Sequence, residues 1–403
     1  MNRRDVLKAL TALPLSTTSV RLWAQDSPAS SLSQRPKLLV VFLRGGYDCA
    51  NVLVPVSSSF YSESRPNIAI AKPGSDANAA LPLDAEWGLH PALRESILPL
   101  WNAGQAAFVP FAGIDDLSRS HFATQDSLEL GQPLDGSRNF QSGFMNRLAA
   151  MTGSGLDKKA IAFTDQLPVV FRGGERIANV ALRNVVRPAV DARQSAAIAA
   201  MYRDTPYAVP VNDGFAMRDS VMRDMAAEMD ASGRNAITAN GFELEARRIA
   251  RLMRDRYALG FVDVGGWDTH AGEGGATGAL AGRLTSLGRG LAGLASEMGS
   301  QWSNTTVVVM SEFGRTFREN GNRGTDHGHG SVYWVLGGSV RGGRVVGEQT
   351  TVDASTLFQN RDYPVLNEYR SVLGGLFSRM YSLTPAQVAT VFAGSAPRDL
   401  GVI

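Results

Sequence analysis

Six short apolar runs, each the length of a β-strand, constrain the fold of this chain more than any other feature. They do not alternate polar and apolar residues, which is typical of strands buried on both faces of a parallel sheet. The runs are Lys37–Leu43, Ala106–Phe111, Ala160–Phe163, Leu259–Val264, Thr305–Met310 and Val332–Leu336. Amphipathic helical patterns lie between them, over Pro91–Asn102, Glu243–Tyr257 and Thr277–Met298. This alternation predicts an α/β sandwich with a mostly parallel central sheet flanked by helices.

The folded part of the 403-residue chain is expected to begin near residue 37. Segment 25–36 is rich in Ser and Pro and is interpreted as a linker. Residues 37–403 then form one α/β domain. Within it, segment 187–243 is rich in Ala, Met, Arg and Asp but has no strand pattern, so it is predicted to be a helical insertion.

The N-terminus has the pattern of a twin-arginine signal peptide over residues 1–24. Arg3 and Arg4 precede a mild apolar stretch that runs from Ala9 to Val20. The alternative is a short amphipathic helix at the start of the fold. The signal interpretation predicts export in the folded state by the twin-arginine translocase, and therefore a periplasmic or secreted protein.

Charge and hydropathy exclude several classes of partner. The formal charge is +2, and the first 25 residues contain four basic residues and one acidic residue, so their removal leaves −1. A protein this close to neutrality has no electrostatic reason to bind nucleic acid. No run of 18 apolar residues occurs, so the chain is not expected to be an integral membrane protein. Cys49 is the only cysteine, which excludes an intrachain disulfide and a cysteine zinc cage.

Four of the apolar runs lead into polar clusters rich in glycine. These clusters are RGGYD after Leu43, AGIDDLSRSHF after Phe111, GGWDTH after Val264, and SEFGRT followed by GTDHGHG after Met310. Ligands of open α/β sheets bind beyond the carboxyl ends of the strands. If the strands are parallel neighbours, the four clusters meet at one edge of the sheet.

The clusters contain four of the five histidines, together with several carboxylates. Imidazole and carboxylate without thiolate form a ligand set for a divalent cation, so we expect Zn, Mn, Mg or Ca here. Each residue taken alone also has an ordinary interpretation as a helix cap, a turn residue or a surface acid. His90, which lies outside the clusters, is interpreted as structural. The candidate metal ligands are Asp48, Asp268, His270, Glu312, Asp326, His327 and His329.

Two serines precede a predicted helix in one of these clusters and are candidate nucleophiles. A hydroxyl at Ser120, or in second place Ser118, would meet the positive end of the helix dipole, and a divalent cation would lower its pKa. The alternative is that both serines are ordinary helix caps. His121 is a candidate to orient the serine or to act as acid or base. The guanidinium groups of Arg44, Arg119 and Arg315 are candidates to bind the oxygens of a substrate.

The motifs resemble those of one family. The twin-arginine start, LLVVFLRGGYD, SRSHFATQD, GWDTH, SEFGRT and DHGHG, in this order, resemble the exported DUF1501 proteins, which are grouped with the alkaline phosphatase and sulfatase superfamily. The resemblance covers roughly residues 37–380. It implies an alkaline-phosphatase-like sandwich with one or two divalent metals over the carboxyl edge of its sheet.

The superfamily pattern also implies roles for individual residues. Asp48 matches the aspartate that ends the first strand, and Ser120 or Ser118 matches the nucleophile at a helix start. Later metal ligands are matched by Asp268, His270, Glu312 and either His327 or His329. The chain departs from the pattern in the short spacing between Asp268 and His270, and it lacks the cysteine segment that becomes formylglycine in sulfatases.

These observations predict an exported, metal-dependent hydrolase of phosphate or sulfate esters, with a small-molecule or polysaccharide ester as substrate. The alternative is a non-catalytic exported protein in which the metal holds a surface that binds an envelope polysaccharide or a partner protein. A redox protein is a weaker possibility, because no GxGxxG follows a predicted strand.

Overall fold

A computed structural model of the chain describes residues 35–152, 160–182, 192–217 and 241–403. The predicted signal peptide 1–24, most of the predicted linker 25–36 and parts of the predicted insertion 187–243 lie outside these ranges. Within the insertion, residues 192–202 and 208–217 are helical. Among the described residues, no helix combines the length and the hydrophobicity that a bilayer-spanning helix needs.

The long strands coincide with the six predicted runs to within two residues at either end. Buried apolar side chains occupy both faces of these strands, as the continuous runs require. In chain order the strands are β1 (Lys37–Leu43), β2 (Leu53–Pro55), β3 (Leu81–Pro82), β4 (Trp87–Leu89), β5 (Ala106–Gly113), β6 (Ala160–Phe163), β7 (Ala178–Asn179), β8 (Leu259–Val264), β9 (Thr305–Ser311), β10 (Ser331–Gly337), β11 (Arg344–Val345) and β12 (Asn367–Glu368).

The helices fill the segments between the strands, and short 3₁₀ turns lie at Pro91–Leu93, Val169–Phe171 and Gly299–Asn304. The labelled helices are α1 (Ser59–Ser64), α2 (Ile97–Asn102), α3 (His121–Leu130), α4 (Phe144–Met151), α5 (Ala192–Tyr202), α6 (Phe242–Asp255), α7 (Ala279–Met298), α8 (Tyr369–Tyr381) and α9 (Pro385–Val391).

The helix predicted over Pro91–Asn102 is divided into a 3₁₀ turn and α2. Pro99 explains the division, because proline has no N–H to donate and its ring clashes with the carbonyl four residues earlier. A helix that contains Pro99 must therefore begin within one turn before it, and α2 begins at Ile97.

The described strands form one large mixed sheet and one small antiparallel sheet of β2, β4 and β3. The large sheet has the order β11-β5-β10-β9-β1-β8-β6-β7, and β12 pairs with β5. Strands β9, β1, β8 and β6 are mutually parallel. The predicted mixed α/β architecture with a mostly parallel central sheet flanked by helices is confirmed.

Strand β10 departs from the parallel arrangement that its sequence predicted. It runs antiparallel to both β5 and β9, because the 19 residues that connect β9 to β10 contain no crossover helix. Since β10 opposes both neighbours, β5 and β9 run in the same direction. The amino end of β10 therefore lies at the same edge of the sheet as the carboxyl ends of β5, β9, β1 and β8.

Helices cover both faces of the sheet, and β1 shows how the two cores divide. Its odd-numbered residues Leu39, Val41 and Leu43 pack into a core that includes α6 and α7. Its even-numbered residues Leu38, Val40 and Phe42 pack into a second core that includes α4, α8 and α9. Side chains of a strand point alternately to its two faces, so one continuous apolar run supplies both cores.

Candidate metal centre

Five polar loops meet at the carboxyl edge of the large sheet. Residues 44–48 follow β1, residues 114–121 follow β5, residues 265–270 follow β8 and residues 312–316 follow β9. The fifth loop, residues 324–330, precedes β10 and reaches the same edge because β10 is antiparallel. Glycines allow the loops to pack backbone against backbone. At Gly45, with φ +124°, a Cβ atom would lie 2.5 Å from the Asp268 nitrogen, and at Gly328 it would lie 2.4 Å from the Arg315 carbonyl carbon.

Three side chains from three of these loops form the centre of a cluster. One ligand atom from each of His121, Asp268 and His327 can be chosen so that all three atoms lie within 4.8 Å of one another. His121 Nε2 lies 3.5 Å from Asp268 Oδ2, and His327 Nε2 lies 3.3 Å from Asp268 Oδ1. His270 adds a fourth donor, since its Nε2 atom lies 2.9 Å from Asp268 Oδ1 and 3.1 Å from His327 Nε2.

Each of the three imidazoles is held from behind by a partner on its other nitrogen. His121 Nδ1 lies 2.8 Å from Glu312 Oε1, and His270 Nδ1 lies 3.0 Å from Asp326 Oδ1. His327 Nδ1 lies 2.9 Å from the backbone carbonyl of Arg119. A carbonyl oxygen can only accept, so His327 Nδ1 carries the proton. In the neutral ring, Nε2 is then left with a free lone pair. Metal-ligating histidines in proteins are held in this way.

The Glu312 carboxylate is buried and acts as the support of His121. Its Oε1 atom also accepts hydrogen bonds from the Gly45 N–H and Gln125 Nε2, each at 2.8 Å. Burial alone would raise the pKa of Glu312, but the hydrogen bonds from His121, Gln125 and Gly45 lower it below its ordinary value. In return, the hydrogen bond to Glu312 raises the pKa of His121.

Asp268 is oriented by a buried cation. The Arg315 side chain has no solvent exposure, and its guanidinium donates to Asp268 Oδ1 at 2.6 Å. Burial raises the pKa of Asp268, but the hydrogen bond and the charge of Arg315 outweigh this and lower it. Asp268 is therefore ionised at neutral pH, while its side chain remains 42% exposed. The pKa of His327 is lowered, chiefly by burial, which favours its neutral form.

The residues present fit a divalent metal. The His121 Nε2 atom is buried and has no hydrogen-bond partner among the described residues, although it faces Asp268. In a tetrahedral zinc site with bonds of 2.0–2.1 Å, neighbouring ligand atoms are about 3.3 Å apart. The contacts of His121 and His327 with the two Asp268 oxygens, at 3.5 and 3.3 Å, are close to this value. Among the described residues, His121, Asp268 and His327 are the group whose ligand atoms all lie within 4.8 Å of one another, and His270 lies beside them. Three imidazole nitrogens and one carboxylate are donors that Zn²⁺ and similar ions prefer.

Comparison with known proteins identifies the family. Residues 35–392 match the family described as "Protein of unknown function (DUF1501)". The chain belongs to the DUF1501 family. No curated protein matches it.

Two solved structures resemble the DUF1501 chain weakly. They are the "Crystal structure of Ps i-CgsB" and the "Crystal structure of Ps i-CgsB in complex with k-i-k-neocarrahexaose". Each is 12% identical, with a TM-score of 0.37 over 88% of this chain and 74% of the other. A likeness of this size supports no inference about fold or function.

The predicted metal ligands of the DUF1501 chain fall into two groups in the structure. Asp268, His270 and His327 come together as donors, with Glu312 and Asp326 directly behind two histidines. The other two are held elsewhere. Both Asp48 oxygens accept from the Arg65 guanidinium, at 2.5 and 3.0 Å. His329 Nε2 lies 3.1 Å from Asp115, and its ring packs on Phe358.

His121, predicted as an acid or base, lies instead among the possible metal ligands of the cluster. Its neighbour Ser120 is the N-cap residue of α3, but the Ser120 hydroxyl makes no capping hydrogen bond and has no hydrogen-bond partner among the described residues. The Ser118 hydroxyl lies 3.4 Å from that of Thr124. The predicted substrate-binding arginines are all engaged by carboxylates: Arg44 by Glu129 and Asp263, Arg119 by Asp362, and Arg315 by Asp268.

A buried charge network below the centre was not predicted from the sequence. Glu273 has no solvent exposure and lies against Asp48, and its Oε2 atom accepts from the hydroxyls of Thr269 and Thr325. Thr325 in turn accepts from Arg315. Burial, and then the charge of Asp48, raise the pKa of Glu273 to about 9. Glu273 therefore carries a proton at neutral pH. In the sequence, Glu273 lies in the segment GEGG, which looks like an ordinary surface loop. That segment was the one feature that could have indicated a special role for Glu273.

The first prediction concerns the close approach of two loops at Gly45. Gly45→Ala should lower the free energy of unfolding by about 2 kcal/mol or more, because the backbone is left-handed and the new methyl meets the Asp268 backbone. The control is Gly282→Ala on the open face of α7, where no atom lies within 4 Å. It should raise stability by about 0.5–1 kcal/mol. Urea unfolding measures both, and equal effects of the two substitutions would contradict this packing.

The second prediction concerns the proton on Glu273. The folded state keeps this proton up to a pKa of about 9, while the unfolded state loses it near pH 4.5. Stability from this group is therefore present in full below pH 4.5 and declines as pH rises towards 9, by up to about 1.4 kcal/mol per pH unit. Glu273→Gln removes this dependence, so its stability relative to wild type should increase from pH 5.5 to pH 8. Parallel pH profiles of unfolding free energy would show that Glu273 is not protonated in the fold.

Proposed function

We propose that this DUF1501 protein is a metal-dependent hydrolase whose divalent ion is held by His121, Asp268 and His327, with His270 beside them. One observation carries the proposal. Three imidazole Nε2 atoms face one ionised carboxylate, while each Nδ1 atom is held by a separate partner. His121 Nε2 is buried and makes no hydrogen bond within the described residues, and a cation between it and Asp268 would give it a partner.

The open side of the centre favours catalysis over a purely structural metal. Structural zinc sites are closed, whereas catalytic sites keep a position for substrate. Here the side chains of Asp268 and His270 are 42% and 45% exposed, and the free Ser120 hydroxyl belongs to the residue before His121. A bound divalent ion polarises an ester and favours ionisation of a nearby hydroxyl. Ser120 is accordingly the favoured nucleophile, with Ser118 in reserve.

The proposed substrates are phosphate or sulfate esters. Support comes from the motif resemblance to the alkaline phosphatase and sulfatase superfamily, whose sandwich fold we propose for this chain, and from the free N–H groups that the start of α3 offers to an anion. Arg44, Arg119 and Arg315 are already paired with carboxylates. The negative charge of the ester would then be met mainly by the metal and by backbone N–H groups. The twin-arginine pattern of residues 1–24 supports the further proposal that the protein is exported folded to the periplasm or beyond.

A specific observation also favours the second candidate, a non-catalytic metal-binding protein. Neither candidate serine makes a hydrogen bond to any of the four proposed metal ligands. The three candidate substrate-binding arginines are all paired with carboxylates. In that case the metal would hold the five loops together as a surface for a polysaccharide or a partner protein.

The third prediction tests the ligand set. Protein purified with its native metal should contain one divalent ion, and His327→Ala should lose it. The control is His329→Gln, which changes a histidine two residues away that is paired with Asp115 and should keep the ion. Elemental analysis measures both variants. Loss of the ion from His329→Gln alone would move the centre to His329.

The fourth prediction tests catalysis. With Zn²⁺, Mn²⁺ or Ca²⁺ supplied, the protein should hydrolyse an aryl phosphate or an aryl sulfate. Ser120→Ala should lower kcat at least about 100-fold without releasing the metal. Ser118→Ala distinguishes the two candidate serines, because a comparable loss in Ser118→Ala alone would make Ser118 the nucleophile. A metal-loaded protein that turns over neither ester would support the non-catalytic candidate.

A further inference from the structure

Arg119 has a strained backbone beside the proposed metal centre. It lies between the two candidate serines, and its φ of +49° is in the left-handed region. Side chains with a Cβ atom rarely adopt this region, and such residues persist only where surrounding contacts hold them.

The conformation directs the Arg119 carbonyl onto a proposed metal ligand. The oxygen lies 2.9 Å from His327 Nδ1 and accepts a hydrogen bond from it. The proton is thereby kept on the nitrogen that faces away from Asp268, so His327 Nε2 stays free to bind a metal. His121 and His270 have carboxylates in the equivalent place, whereas His327 depends on a single backbone oxygen.

The Arg119 side chain is held by a loop that is itself strained. The guanidinium donates to Asp362 Oδ2 at 2.7 and 3.1 Å and to Gln359 Oε1 at 2.8 Å. Asp362 is fully buried, and its backbone pairs with that of Thr316. Gln359 and Asn360 are both left-handed, with φ of +54° and +50°. We call the contacts of the Arg119 guanidinium with Asp362 and Gln359 the clamp. Through Asp362, the clamp is anchored to the loop that follows β9, which also carries Glu312 and Arg315.

We propose that Arg119 is a positioning residue. Its guanidinium, held by Asp362 and Gln359, keeps its backbone left-handed, so that its carbonyl fixes His327 as a metal ligand and sets the place of the Ser118–Ser120 segment. This inference rests on the proposed metal centre and concerns the affinity and geometry of that centre rather than turnover. Arg361 offers a matched comparison, because it binds the same Asp362 carboxylate at 2.9 and 3.1 Å but contributes nothing to His327.

The test measures Zn²⁺ affinity and the visible absorption of the Co²⁺-substituted protein. Arg119→Ala removes the clamp and disfavours the left-handed backbone, so it should weaken Zn²⁺ binding at least about tenfold and alter the Co²⁺ spectrum. Arg119→Gly also lacks the clamp but adopts this backbone freely, so its loss should be smaller, about threefold or more. Arg361→Ala should bind Zn²⁺ like wild type and leave the Co²⁺ spectrum unchanged.

Melting of the metal-free variants separates this role from general stability. Arg119→Ala and Arg361→Ala each remove one cation from Asp362, so a purely structural role would weaken both proteins and their metal binding alike. Wild-type affinity and spectrum in Arg119→Ala, equal losses in Arg361→Ala, or a larger loss in Arg119→Gly than in Arg119→Ala would overturn the proposal. If Arg119→Ala does not fold, Arg119→Gly is compared with Arg361→Ala instead. Wild-type protein that binds neither Zn²⁺ nor Co²⁺ would instead reject the metal centre.

Discussion

The proposed metal centre depends on the orientation of three imidazoles around one ionised aspartate. The proton on each Nδ1 atom is directed to Glu312, Asp326 or the Arg119 carbonyl, and the Nε2 atoms are left to face Asp268. This arrangement needs loops from five strand ends to approach within backbone contact. Gly45, Gly314, Gly324 and Gly328 allow that approach, because a Cβ atom at each of them would collide with the backbone of another loop.

Below this layer, buried charged side chains pair with one another. Arg315 holds Asp268 from beneath, and Arg65 holds Asp48 with two hydrogen bonds. A protonated Glu273 can lie against Asp48 without the repulsion that two carboxylates would feel. Asp48 is therefore paired within this network, while the side chains of Asp268 and His270 above it remain 42% and 45% exposed.

The sheet, and the edge at which the polar loops meet, could be predicted from sequence because both depend on burial. The continuous apolar run of β1 requires two covered faces, and the loops after such strands must meet at one edge. Val332–Leu336 was predicted as a strand, but its antiparallel direction depends on the connection rather than on its own residues. The polar loops still meet at one edge of the sheet. Because β10 is antiparallel, the loop that precedes it, which contains His327, reaches the same edge as the loops that follow the parallel strands.

Asp268, His270 and His327 come together as the sequence predicts, but the roles of several other residues could not be predicted, because they depend on single side-chain distances. Glu312 and Asp326 lie in the predicted loops, but each contacts the Nδ1 atom of a histidine, His121 and His270 respectively, instead of facing the proposed metal position. Asp48 follows β1 as expected, but Arg65, whose sequence context gives no signal, takes both of its oxygens. The hydrogen bond between the Arg119 carbonyl and His327 involves a backbone atom, so no residue type in the sequence indicates it.

Anomalous diffraction from crystals of the protein, recorded at the absorption edge of its native metal, tests the central claim most directly. One peak should appear about 2.0–2.2 Å from the Nε2 atoms of His121 and His327 and from an oxygen of Asp268. A peak beside Asp48 or His329, or no peak in protein that retains its metal by elemental analysis, would contradict it.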